Sequence, residues 1–257
     1  MRAIRLVASN TFREAVRDRV LYNLIVFALL LVAASFLVGQ ISIGIERQVL
    51  ISLGLTAISL FGVVIAIFIG VGLVSKEIEK RTLYTVLTRP VRRWQFIVGK
   101  FFGLFGTLVV NTFFMAIGFF AALAIEAHRL QPADAWLLVA LWFIVLQLVI
   151  VTALALLFSS FSTPLESAVF ALVLYVIGTF SDDLREFAQA AEGLTRIVAS
   201  AAAYLVPNLA ALNVVGRVVH NQPLPASLIF YNTVYAMLYA AAAVAGAVLI
   251  FERRNLK

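Results

Sequence analysis

Residues 135–165 read AWLLVALWFIVLQLVIVTALALLFSSFSTPL, a run without one charged side chain. A membrane helix needs roughly 20 mostly apolar residues to cross about 30 Å of hydrocarbon, so this run spans with slack. Residues 20–45, 48–75, 101–125 and 218–251 are equally free of charge and predict four more spans. Between Glu166 and Asp182 lie only 15 uncharged residues, about 22 Å of helix, which falls short of the hydrocarbon core. Pro164 suits the first turn of a helix, so a helix from Pro164 to Ser181 puts Glu166 at the interface and nearly crosses. The expectation is an all-α integral membrane protein with six transmembrane helices, read as a single domain over residues 1–257.

The rest of the composition agrees. Of 257 residues, 63% are hydrophobic and 13% charged, about half the charged share of an ordinary soluble domain. The formal charge of +7 does not point to nucleic acid, because the basic residues lie between apolar runs. Of the 20 Lys and Arg, 15 fall on one side of the predicted membrane and 5 on the other. By the positive-inside rule, both termini and the 76–100 connection are cytoplasmic. The first apolar run, beginning near Val20, has no evident small-residue cleavage site and reads as a retained span. The absence of cysteine excludes disulfides, thiolate metal sites and thiol nucleophiles.

Residues 1–19 set Ile4, Leu6, Val7, Ala8, Phe12, Ala15 and Val16 among Arg2, Arg5, Arg13, Arg17 and Arg19. This pattern predicts a basic amphipathic helix along the cytoplasmic interface; the plainer alternative is a disordered segment that only sets orientation. Residues 182–226 form an external connection too long for an idle turn. Leu194, Ile197, Val198, Ala201, Ala202 and Leu205 keep helical spacing there. Pro207 and Asn208 then break the run before Leu209, Leu212, Val215 and Val219. Two short re-entrant helices at the outer interface are expected, either as a cap over the bundle or as an external gate at Pro207 and Asn208.

The longest charged connection, residues 75–100, reads SKEIEKRTLYTVLTRPVRRWQFIVGK. Ile78, Leu83, Val86 and Leu87 share one side of a short helix, and Glu77 precedes Arg81 by four residues in the favourable order. Pro90 breaks the chain before Arg92 and Arg93 lead into the next span. Such a helix, elbow and helix fits a groove on a soluble partner and passes its movement into two spans. A positive-inside anchor accounts for the basic residues, though not for Glu77, Glu79 or the ordered apolar face.

Glu77, Glu79, Arg81, Thr82, Leu83, Leu87, Pro90, Arg92, Gly99 and Lys100 resemble the signature of ABC-2 type transporter permeases. The order of six spans, basic N-terminal helix, charged connection and external helical segment is similar throughout. Arg81 before Thr82, where many of these permeases have glycine, resembles the subgroup linked to maturation of multicopper enzymes such as nitrous oxide reductase. The resemblance implies a permease of a prokaryotic cytoplasmic (inner) membrane, homodimeric or paired. It implies residues 76–93 as the coupling region, including Val86 and Arg93, and separate ABC-type ATP-binding subunits that carry ATP and Mg. This chain carries no P-loop of its own, since Trp94 and Phe101 replace its first glycine and its Ser/Thr.

Asn111 and Gln147 fall near the middles of their spans, where hydrocarbon offers no hydrogen-bond partner. They read as glue between helices or as lining of a translocation path. Gly99 with Gly103, and Ala242 with Gly246, have the spacing for close helix approach. No acid sits at a span centre, which argues against a proton relay or a membrane aspartyl protease. Asp182 and Asp183 are neighbours that point apart on a helix. His128 and His220 lack partners at ligand spacing, and Ser59 and Ser75 lack a base nearby in sequence. No catalytic or metal-ligating set is therefore expected. Three readings follow: an ATP-driven exporter subunit; a non-transporting mechanical or assembly subunit acting on an extracytoplasmic accessory protein; and, with least support, a membrane-embedded enzyme.

Overall fold

The structure, a computed structural model, describes residues 2–17, 44–79, 92–127 and 134–253, with scattered helical positions between 22 and 37. Among these residues every regular element is helical. They are α1 (Arg2–Val16), α2 (Glu46–Glu79), α3 (Arg93–Ala127), α4 (Ala135–Ser159), α5 (Pro164–Thr179), α6 (Ser181–Ala190), α7 (Gly193–Leu205), α8 (Val215–Val219) and α9 (Ala226–Arg253). A single 3₁₀ turn, Ala210–Leu212, joins α7 to α8.

Among the described residues four helices, α2, α3, α4 and α9, are long and apolar enough to cross a membrane, and two bent pairs bring the number up to six. The chain is thus an all-α, multi-pass membrane protein. The expected span over 20–45 lies largely outside the described residues, although Tyr22, Ile25, Leu29 and Leu37 are helical. The other expected spans correspond to α2, α3, α4, α5 and α9.

The uncharged run at 135–165 becomes the hub. Apolar on every side, α4 has 78% of its best spanning window buried, as an all-round apolar helix requires. It packs on α2, α3, α5 and α9. Approach to α2 is close: a Cβ on Gly62 would stand 2.9 Å from Leu148 Cδ1, and one on Gly70 3.1 Å from Ala155 Cβ. The hub also packs on α9, whose buried small residues are Ala236, Ala240, Ala243 and Ala247. Gly246 faces α4, near Leu157, whereas Ala242 is exposed, so the close contact is one residue out of the register expected from Ala242.

The helix ends earlier than the uncharged run, at Ser159. Ser159, Ser160 and Ser162 donate to the carbonyls of Leu156, Leu157 and Phe158 at 2.9, 2.6 and 2.8 Å, satisfying groups that a helix end leaves open. The Thr163 N–H donates to Glu166 Oε2 at 3.0 Å and opens α5 with Pro164 in its first turn. The expected helix to Ser181 stops at Thr179, where the chain bends by 64° into α6. Residues 181–219 hold three helices and a turn rather than two helices, because the polar stretch from Ser181 to Ala190 forms α6.

The basic N-terminal segment is a helix, as expected, and it lies along the glycine face of α3. A Cβ on Gly99 would meet Val7 Cβ at 2.7 Å; one on Gly103 would meet the Ala8 carbonyl oxygen and Thr11 Cβ, each at 2.6 Å. Gly106 faces Phe12. The contacts advance in step, so α1 and α3 run in the same direction. At the same end of the bundle Arg93 donates from Nη1 to the carbonyls of Phe251 and Glu252 at 3.4 and 3.1 Å, and Phe96 stacks on Phe251. At the opposite end Arg47, in the first turn of α2, pairs with Asp134, which precedes α4.

Candidate functional site

Three side chains meet at the centre of the bundle. Gln147 of α4 is 6% exposed and donates from Nε2 to Ser59 Oγ of α2 at 3.2 Å. The Tyr175 hydroxyl of α5 interacts with both. They form the floor of a cleft of about 160 Å³, whose remaining polar lining is Thr56, Thr179 and Asn213. Those three are exposed and mark its mouth, while Leu209 to Val215 form one wall. Among the described residues no charged side chain lines the cleft. After the Ser59 bond, Gln147 still has a second N–H and acceptor capacity, so the floor has hydrogen bonds to offer an uncharged group.

The wall is held by a set of polar contacts around Pro207 and Asn208. Asn208 Oδ1 accepts from Ser181 Oγ at 2.8 Å and from the Ala211 N–H at 3.1 Å. The Asn208 N–H donates to the Tyr235 hydroxyl at 2.7 Å. Asn232 Nδ2 donates to the Ala211 carbonyl at 2.9 Å, and the Tyr239 hydroxyl to the Leu205 carbonyl at 2.9 Å. Backbone also meets backbone, with the Leu209 N–H on the Gly178 carbonyl at 3.1 Å. A Cβ on Gly178 would stand 2.8 Å from the Pro207 carbonyl oxygen. The break at Pro207 and Asn208 is therefore a pinned joint on α5 and α9, directly beside the cleft.

The candidate residues thus separate. Gln147 lines the cleft, and Pro207 and Asn208 anchor its wall. Asn111, 1% exposed, is absent from the cleft lining, and among the described residues neither of its polar atoms has a hydrogen-bond partner. Glu77 and Glu79 fall in the last turns of α2, which runs unbroken from the spanning window into the charged connection. Arg81, Thr82, Leu83, Val86, Leu87 and Pro90 lie outside the described residues. The Arg92 N–H donates to Gln95 Oε1 at 3.1 Å at the start of α3, and Arg93 reaches the end of α9. Lys100 is 1% exposed, 3.9 Å from Glu14 of α1, with its ammonium over the Phe96 ring. His220 Nδ1 lies 2.8 Å from the Gly216 carbonyl, His128 is outside the described residues, and Asp182 pairs with Arg185.

Reading the sequence alone passed over Thr56, Tyr175, Thr179 and Asn213, and over the pins Ser181, Asn232, Tyr235 and Tyr239. One signal was present for the pins: residues 232, 235 and 239 keep helical spacing on an otherwise apolar span.

No protein of curated function matches the chain. A family model described as ABC-2 family transporter protein matches residues 5–256. The match runs from the basic helix through the motif connection, the cleft and the pinned joint to the end of α9, and the chain belongs to the ABC-2 transporter family as its membrane component.

Proposed function

We propose that this chain is the permease subunit of an ATP-driven exporter, in which residues 76–93 dock on a separate ATP-binding subunit that holds ATP and Mg. The observation that carries this reading is the continuity of α2 from Glu46 to Glu79. One rigid rod holds Thr56 and Ser59 of the cleft together with the first two carboxylates of the motif. The Lys and Arg excess supports a cytoplasmic position for both termini and the motif connection, here of a prokaryotic inner membrane. The cleft between α2, α4 and α5 is then part of the translocation path, with Pro207 and Asn208 at its external gate. Its uncharged lining favours an apolar or amphipathic cargo over a bare ion. Two copies supply the paired permease, and the Arg81–Thr82 pair supports the multicopper-enzyme maturation subgroup.

Purifying the tagged chain in mild detergent and assaying what accompanies it tests the proposal. A stoichiometric P-loop ATPase is expected, lost when Glu77→Arg and Leu83→Asp are combined while the chain still inserts. Recovery of the intact complex with both changes present refutes the docking role. A second reading, a mechanical or assembly subunit, draws support from α7. Leu194, Ile197 and Leu205 of α7 are exposed, a face suited to an extracytoplasmic partner. Cargo-independent ATPase activity that still requires this face would favour it.

A further inference from the structure

A second concavity lies on the other side of the hub, between α3 and α4. It is a groove of about 480 Å³ that runs from Val109 to Phe120 on α3 and from Leu138 to Val145 on α4. Phe113, Ile117 and Phe120 form one wall, and Leu138 and Trp142 the other. The walls are exposed: Phe113 is 61%, Leu138 60% and Trp142 43% accessible. Thr112 and Ala116 form the floor, and both are buried. The indole N–H of Trp142 is turned onto Thr233 Oγ1 at 3.1 Å, which fixes the ring as a wall and removes its polar atom from the groove.

We propose that this groove binds one hydrocarbon chain of a membrane lipid, in the half of the bilayer away from α1 and the end of α9. Three observations select that occupant. The first is depth and length. Residues 109–120 cover about 16 Å of helix, close to one leaflet's share, about 15 Å, of the hydrocarbon core. They lie beside the first turns of α4, at the bundle end remote from α1. The second is texture. Helices associate in membranes through small residues that let backbones approach, yet these walls carry large side chains around an open slot. That shape admits a flexible chain and keeps a second helix at a distance. The third is the contrast with the opposite face. Thr56, Thr179 and Asn213 are exposed at the mouth of the polar cleft, and exposing them to hydrocarbon costs more than exposing Phe113 or Leu138. A second copy therefore gains more by covering the cleft face, which leaves the α3/α4 groove to lipid. The inference needs only the membrane-spanning fold and is independent of any ATPase partner.

The test uses the full chain in lipid nanodiscs with Trp94→Phe and Trp136→Phe, so that Trp142 is the sole indole. Lipids brominated at mid-chain are compared with unbrominated lipids. Brominated chains should quench Trp142, and Ala116→Phe, which fills the groove from its floor, should reduce that quenching roughly twofold by covering the groove side of the indole. Val145→Phe fills the same slot from α4 and replaces Ala116→Phe if that variant does not fold. An unquenched Trp142 overturns the proposal, as does quenching that both fillings leave unchanged, which would mean ordinary lipid contact. The chain has no cysteine of its own, so Ile117→Cys adds an unambiguous check. A disulfide between two copies through that residue would assign the groove to a protein interface and overturn the lipid site.

Discussion

Gly103→Ala should release α1 from α3, and the size of the effect follows from what the added methyl group meets. Its Cβ would stand 2.6 Å from both the Ala8 carbonyl oxygen and Thr11 Cβ. The first is main chain and the second is fixed to it, so neither swings aside as a long side-chain end would. Overpacking of this kind costs about 1–3 kcal/mol. Alanine's higher helix propensity does not offset it, because α3 stays helical whether α1 is docked or released, and the propensity gain cancels between the two states. The opening equilibrium of α1 therefore shifts by about 5- to 150-fold. Trypsin reads this directly, since Arg5 and Arg13 lie on α1 and cleavage tracks the open population when closing is fast. Gly72→Ala, on α2, is the matched control: among the described residues no neighbouring element comes within 4 Å of its built Cβ, so its cleavage rate should equal that of the wild type. A Gly103→Ala protein cut no faster than the control would refute the docked geometry of α1.

Other substitutions probe the centre and the joint. Asn111→Leu should raise thermal stability, by about 1 kcal/mol or more, because both polar atoms it removes are buried without partners among the described residues; normal assembly with lost transport would instead put Asn111 on the path. Gln147→Leu should cost less than about 1 kcal/mol through the lost Ser59 contact, measured as midpoint of thermal unfolding, yet diminish transport if the cleft carries cargo. Asn208→Ala removes the acceptor for both Ser181 and the Ala211 N–H. It should loosen residues 205–215 by about 1–2 kcal/mol, seen as faster hydrogen exchange there with the spans unchanged.

How much of this was legible depended on the range of the determining contact. Spans came directly from absent charge, since the cost of placing Lys, Arg, Asp or Glu in hydrocarbon is a property of each residue alone. Pro164 likewise announced the start of α5. Where α4 stops was harder, because Ser159, Ser160 and Ser162 end the helix with side-chain hydrogen bonds rather than with a proline or a charge. Gly99 and Gly103 announced close approach without naming the partner, and the partner is α1, nearly a hundred residues away in sequence. The cleft was least legible. Its polar groups are spread over three helices and the residue after a turn, no more than two to an element, and a Thr56 or Tyr175 on an apolar helix carries no mark of what it faces.

The same distribution bears on how a push at the motif would reach the cleft. Ser59 and Glu77 share one uninterrupted helix, 18 residues and thus about 27 Å apart. A helix of that kind moves as a body more readily than it stretches, so displacement at its charged end arrives at Ser59 as tilt or translation. Gly62 and Gly70 face α4 between those points, and the missing side chains at those two positions leave α2 fewer contacts to unlock as it slides on the hub. Gln147 stays with α4, while Tyr175 stays with α5 and, through Gly178, with the pinned joint. Under the proposed coupling, motion of α2 alone therefore separates Ser59 from Gln147 and opens the cleft floor, with no change inside any helix. A disulfide between cysteines introduced at Gly70 and Ala155 would lock α2 to α4. It should leave ATPase binding intact while blocking transport, and reduction should restore it. Transport that continues through the locked pair would exclude sliding of α2 as the coupled motion.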